Sequence, residues 1–128
     1  KTIISLCLIA VVCFACFAPA LALQDNRITP CAIVTFSSGM PKVAGTTNKY
    51  NPYAIASVGL PEQLSVGFTL YKVVNGNEIY ITSDSDGGYG NYFEAEAVVT
   101  LSKGTYKLYA YYRGETKSDG SVTTYNIG

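Results

Sequence analysis

The chain has no histidine, and that absence removes most of the chemistry a small domain could perform. Histidine is the usual general base, the commonest metal ligand and the side chain that titrates near neutral pH. What remains is a pair of carboxylates, an acidic glycine-rich segment, a cysteine and many tyrosines. Glu94 and Glu96 stand two residues apart, which on a strand puts them about 7 Å from each other. Paired carboxylates at such a spacing can serve glycoside hydrolysis. Here both point the same way from a flat outer surface, with no cleft predicted between them. Their expected role is to keep a sheet soluble.

Asp84-Ser85-Asp86-Gly87-Gly88 invites a calcium reading, because hard cations take clustered carboxylates and turn carbonyls. The EF-hand pattern then needs an oxygen ligand at its fifth position, a glycine at its sixth and a glutamate at its twelfth. Those positions hold Gly88, Tyr89 and Ala95, so neither a metal nor another cofactor is expected. Cys31 lacks a histidine to activate it as a nucleophile. No catalytic residue emerges, and the expectation is a protein that is not an enzyme.

Charge and compartment narrow the field further. Nine Lys and Arg balance nine Asp and Glu across 128 residues, leaving no basic excess to collect phosphates. A nucleic-acid partner is therefore not expected. Lys1, the apolar run Ile3 to Phe17, Pro19 and Ala20-Leu21-Ala22 form a cleavable signal peptide over residues 1–22. The run is too short to span a bilayer comfortably, so the mature chain is expected to be secreted, extracellular and free of the membrane. Residues 23–30 form a short lead-in and 31–128 the domain. Cys7, Cys13 and Cys16 leave with the leader, and Cys31 remains as a free thiol. It is either a small buried apolar residue or the link of a homodimer.

The mature chain alternates at period two, the mark of strands with one buried face. Phe93, Ala95, Ala97, Val99 and Leu101 share a face within Tyr92–Leu101, with Glu94, Glu96 and Thr100 opposite. Tyr106, Leu108, Ala110 and Tyr112 share another, with Lys107, Tyr109, Tyr111 and Arg113 opposite. Leu64, Val66, Phe68 and Leu70 form a third. Asn75-Gly76 accepts the positive φ that hairpin turns require, and Glu78–Ser83 returns with Ile79 and Ile81 inward, Tyr80 and Thr82 outward. Cys31–Phe36 and Tyr53–Val58 are further strands, and Ser121–Ile127 is an edge strand. Asp84–Asn91 and Lys117–Gly120 are loops. About seven antiparallel strands and no amphipathic helix result, in one all-β domain.

Leu101-Ser102-Lys103-Gly104-Thr105-Tyr106 resembles the tyrosine corner of Greek-key sandwiches. In that corner Gly104 allows the tight bend, Leu101 plugs the core end and Tyr106 packs inside with its hydroxyl on nearby backbone. Together with the strand spacing from Val66 to Tyr125 and the terminal Ser-Asp-Gly hairpin, it makes the chain similar to small secreted bacterial proteins with one immunoglobulin-like or fibronectin-III-like domain. The resemblance to these Gram-positive proteins implies a Greek-key β-sandwich. It carries architecture and no activity.

Tyrosine is the compositional anomaly, with 11 copies and no tryptophan. In an immunoglobulin-like arrangement, Val66–Val74, Ile79–Thr82, Thr105–Arg113 and Ser121–Ile127 share one sheet. Tyr71, Tyr80, Tyr109 and Tyr111, with Tyr125 at the margin, then line its outer face, flanked by Lys107 and Arg113. Tyrosine offers a rigid contact area with one polar handle, which suits recognition of a protein or a glycan. Cross-strand aromatics also stabilise sheets without binding anything. The leading expectation is a binding module using this face. The alternatives are a structural or oligomer-forming envelope or matrix component, and a secreted inhibitor or bacteriocin-like effector contacting its target through Asp84–Asn91.

Overall fold

A computed structural model describes residues Val34–Gly128, which form antiparallel strands and no helix. The leader, the lead-in and Cys31 lie outside the described residues. The strands are β1 (Val34–Gly39), β2 (Lys49–Tyr50), β3 (Tyr53–Val74), β4 (Asn77–Glu96), β5 (Val99–Thr100), β6 (Gly104–Arg113) and β7 (Ser118–Ile127). A five-stranded sheet runs β1-β3-β6-β7, with β4 along the other side of β3, and β2 pairs with β5.

β3 organises everything else. Its first half, Tyr53–Val58, pairs with β1, and its second half, Ser65–Val73, pairs with β6. β4 accompanies both halves, from Val74 opposite Asn77 back to Tyr53 opposite Glu96. Between the halves, residues 58–61 of β3 lie opposite Asn91 alone, so the ladder is broken there. Pro61 cannot donate to a ladder and Gly59 has no side chain to pack, which suits both to that break.

Side chains from both halves enter a single core. Ala54, Ala56 and Ala95 come from one half; Val66, Phe68, Leu70, Leu108 and Tyr106 come from the other. Phe36 of β1 meets Tyr112 of β6 with ring centroids 5.1 Å apart. Alternation predicts these faces correctly: Tyr106, Leu108, Ala110 and Tyr112 are all buried, as are Leu64, Val66, Phe68 and Leu70. The turn also stands where Asn-Gly puts it, with φ of 53° at Asn75 and 81° at Gly76.

Several expectations give way. Asp84–Asn91 is not a loop: Asp84–Gly90 pairs with Glu62–Phe68 as part of β4. A segment of Asp, Ser and Gly has little strand propensity of its own, and its backbone is held by the long neighbouring strand. Lys117–Gly120 is likewise mostly strand, since β7 begins at Ser118 and the turn falls at Gly114–Lys117, closed by a 2.7 Å bond from the Gly114 N–H to the Lys117 carbonyl. Tyr92–Leu101 is interrupted at Ala97-Val98. Among the described residues, the first strand covers Val34–Gly39 and so extends beyond Phe36.

Candidate binding face

Directly paired residues of an antiparallel ladder point to the same face, so the register assigns the sheet's outer surface. Tyr71 pairs with Tyr80 on one side and Lys107 on the other. Thr69 pairs with Tyr109, Gly67 with Tyr111 and Ser65 with Arg113. The structure therefore brings Tyr71, Tyr80, Tyr109, Tyr111, Lys107 and Arg113 onto one surface, opposite the buried Phe68, Leu70, Leu108 and Ala110.

The rings are packed against one another. Tyr71 stands perpendicular to Tyr109, at 5.4 Å and 88°, and close to perpendicular to Tyr80, at 6.4 Å and 79°. Tyr80 is 58 % exposed. Its hydroxyl shares a 2.9 Å hydrogen bond with Ser83 Oγ. The Arg113 guanidinium lies 5.0 Å from the Tyr111 ring centroid, a cation–π arrangement. Tyr111 can lie flat against the sheet only because its partner is glycine: a Cβ at Gly67 would come 2.6 Å from the Tyr111 hydroxyl.

One carboxylate ties the surface together. Tyr109 Oη donates to Glu78 Oε2 at 2.7 Å, and Lys107 Nζ lies 3.4 Å from the same oxygen. The bond to Glu78 holds the Tyr109 hydroxyl above the ordinary phenol range. Glu78 was not among the expected residues, although a two-residue turn at Asn75-Gly76 places it opposite Val73, one step from Tyr71. Val122, opposite Tyr109 on β7 and 57 % exposed, was also missed.

Two outward assignments are corrected. Tyr125 pairs with the buried Tyr106 and packs against the core, so it does not belong to the outer face. Its burial raises its hydroxyl pKa. Thr82 pairs with the buried Leu70, because the register slips between Leu70 and Tyr71 and leaves Ile81 as the extra residue. Such a bulge inverts the facing of everything beyond it. Ile79 keeps the inward side, opposite Lys72, but stays half-exposed near the hairpin tip.

The remaining expected residues take structural positions. Tyr106 is 1 % exposed and donates to the Ser102 carbonyl at 2.8 Å. Leu101 is buried beside it, and at Gly104 a Cβ would meet Lys72 Cε at 2.8 Å. Glu94 and Glu96 lie on the other half of the β3–β4 ribbon, opposite Ile55 and Tyr53. Glu94 accepts from Tyr92 Oη at 3.2 Å and Glu96 from Asn51 Nδ2 at 3.1 Å. Asp84 and Asp86 accept the backbone N–H of Glu96 and Glu94, at 3.0 and 3.3 Å. Among the described residues, no group of three or more carboxylates, thiols or imidazoles could hold a metal ion.

Beyond Arg113 the outer face dips into a shallow depression of about 310 Å³, lined in part by Gln63, Ser65, Gly87, Arg113 and Glu115. Two carboxylates fix its rim reciprocally. Glu62, 8 % exposed, accepts from the Glu115 N–H at 2.7 Å, and Glu115 accepts from the Gln63 N–H at 2.8 Å. No protein-family model matches the chain, and no curated protein matches it in sequence.

Proposed function

We propose that this chain is a secreted, non-enzymatic binding module that recognises a protein surface through Tyr71, Tyr80, Tyr109 and Tyr111. The observation that carries the reading is the ring geometry. A sugar-stacking platform needs free, roughly coplanar ring faces, whereas the Tyr71 ring is close to perpendicular to both neighbours and Arg113 covers a face of Tyr111. What is left for a partner is a ridge of ring edges and hydroxyls rimmed by Lys107, Glu78 and Arg113. Tyrosine and arginine are the residue types that dominate protein–protein hot spots. The rings are already held by their neighbours, so little side-chain freedom is lost on binding.

The architecture we assign is an immunoglobulin-like Greek-key sandwich. Its support is the change of partner along β3, from β1 to β6, with β4 beside it throughout. One layer is then β1 with the first half of β3 and the end of β4; the other is the start of β4, the second half of β3, β6 and β7. Burial of Tyr106 with its hydroxyl on Ser102 supports a tyrosine corner at Leu101–Tyr106. Secretion rests on residues 1–22, and protein recovered from culture medium should begin at Leu23.

The binding test pans a displayed random-peptide library against the immobilised chain, with a glycan array run in parallel. Peptides selected on the wild type should lose about 10-fold or more in affinity for Tyr109→Ala/Tyr111→Ala, because buried aromatic anchors are often worth ~2 kcal/mol. Glu94→Ala/Glu96→Ala, on the other half of the ribbon, should bind as the wild type does. Equal binding by the tyrosine double mutant at matched thermal stability refutes the assignment. Glycans bound and no peptides selected would overturn the partner class.

A further inference from the structure

We infer that the outer edge of β7 pairs antiparallel with the same edge of a second copy of this chain, about a two-fold axis at Val122. β7 pairs with β6 without a break from Ser118 to Ile127, and among the described residues nothing pairs with its other side. An exposed edge of this length is a template for strand addition unless the sequence guards it with Lys, Pro or a bulge. Ser118-Asp119-Gly120-Ser121-Val122-Thr123-Thr124-Tyr125-Asn126-Ile127 contains none of these, and its one charge is Asp119 near the end.

Across the second half of β3, the margin on the far side from β7 is β4, and it is guarded. β4 carries a register slip at Ile81 and a glycine-rich stretch. The Asp86 and Asp84 carboxylates already take the backbone N–H groups of Glu94 and Glu96. A two-fold contact uses the same β7 edge of both copies, so pairing through this edge closes at two copies.

The register follows from facing. Paired residues share a face, so alignment of the two tyrosine faces requires even-numbered residues to oppose even-numbered ones. Centring the axis on Val122 sets Gly120 against Thr124, Ser118 against Asn126, Ser121 against Thr123 and Asp119 against Tyr125. No like charges meet. Val122, the exposed apolar residue of β7's outer face, is covered by Val122 of the second copy. Tyr109 borders Val122 within each copy, so the pair joins two tyrosine faces into one surface.

Sedimentation velocity over a concentration series, with a reducing agent present to exclude a Cys31 cross-link, tests this on the full chain. The wild type should pass from monomer to dimer. Val122→Lys and Val122→Glu should each dimerise about 10-fold or more weakly, since like charges directly opposite repel. Mixing the two variants should restore the dimer, because residue 122 meets its own copy at the axis. Thermal unfolding of each variant verifies that the exposed substitution leaves the fold intact. A wild type that stays monomeric, a dimer indifferent to Val122→Lys, an open-ended assembly or a mixture without rescue overturns the inference. Peptide binding by the tyrosine face is measured separately, so either claim can fail while the other stands.

Discussion

Gly67→Ala moves Tyr111 without removing any tyrosine, which makes it a direct probe of the face. A Cβ at Gly67 would lie 2.6 Å from the Tyr111 hydroxyl and 2.7 Å from two ring carbons. Ordinary contact between such atoms is about 3.5–4.0 Å, so the ring must lift by about 1 Å. The obstacle is the far end of a side chain, which can swing, and the backbone need not yield. An off-rotamer ring costs about 0.5–1.5 kcal/mol. Replacing a strand glycine by alanine returns about 0.5–1 kcal/mol by restricting the unfolded chain. The net change should stay within about 1 kcal/mol, or roughly 4–8 °C in Tm for a domain of this size. Affinity for a peptide selected on the wild type should nevertheless fall about 10-fold, because the displaced ring also loses its place beneath Arg113. Calorimetry and fluorescence anisotropy on the same samples read both quantities. In a double-mutant cycle, Tyr111→Ala should relieve the stability cost of Gly67→Ala. Unchanged affinity would mean that the Tyr111 ring makes no contact with the peptide, and a Tm loss above about 20 °C would mean that the backbone, not the ring, yields.

Other consequences are equally specific. Tyr106→Phe removes one hydroxyl bond to Ser102 and should cost about 1 kcal/mol in urea denaturation. Tyr106→Ala deletes a fully buried ring and should cost about 3–5 kcal/mol; an unmoved midpoint would remove Tyr106 from the core. The Tyr109 hydroxyl is raised above its ordinary 10.0, chiefly by its bond to Glu78, so its neutral form is the one the fold favours. That stabilisation is complete below pH 10 and is lost as pH rises through the folded-state value. In an NMR pH titration, Glu78→Gln should bring Tyr109 back toward the ordinary phenol value; no change would mean the bond does not govern it.

Alternation made the buried faces of Leu64–Leu70, Tyr106–Tyr112 and Phe93–Leu101 legible, because an apolar side chain recurs at every second position of each. The outer tyrosines on β3 and β6 followed by parity, and Tyr80 followed from the Asn75-Gly76 turn. Legibility ended where the period slipped. The extra residue at Ile81 turns Thr82 toward the core, and no composition signal marks it. Asp84–Gly90 looks like a loop because its residues disfavour strands, yet its ladder is supplied by Glu62–Phe68, distant in sequence. With that segment in a strand, a target contact through a free Asp84–Asn91 loop loses its physical basis. Tyr125 was misplaced because only the β6–β7 register, which sets it opposite Tyr106, decides its side. Ring orientation was beyond the sequence altogether. Alternation puts Tyr71 among its neighbours, but only packing turns it perpendicular to Tyr109.

Binding at the outer tyrosine surface can be read residue by residue from amide chemical-shift mapping of the isotope-labelled chain titrated with a selected peptide. The largest shifts should fall at Tyr71, Tyr109, Tyr111 and Arg113, with Glu94 and Glu96 unmoved. Shifts concentrated instead around the exposed Leu60, Tyr89 and Tyr92, with Tyr109 and Tyr111 unchanged, would contradict binding at that surface.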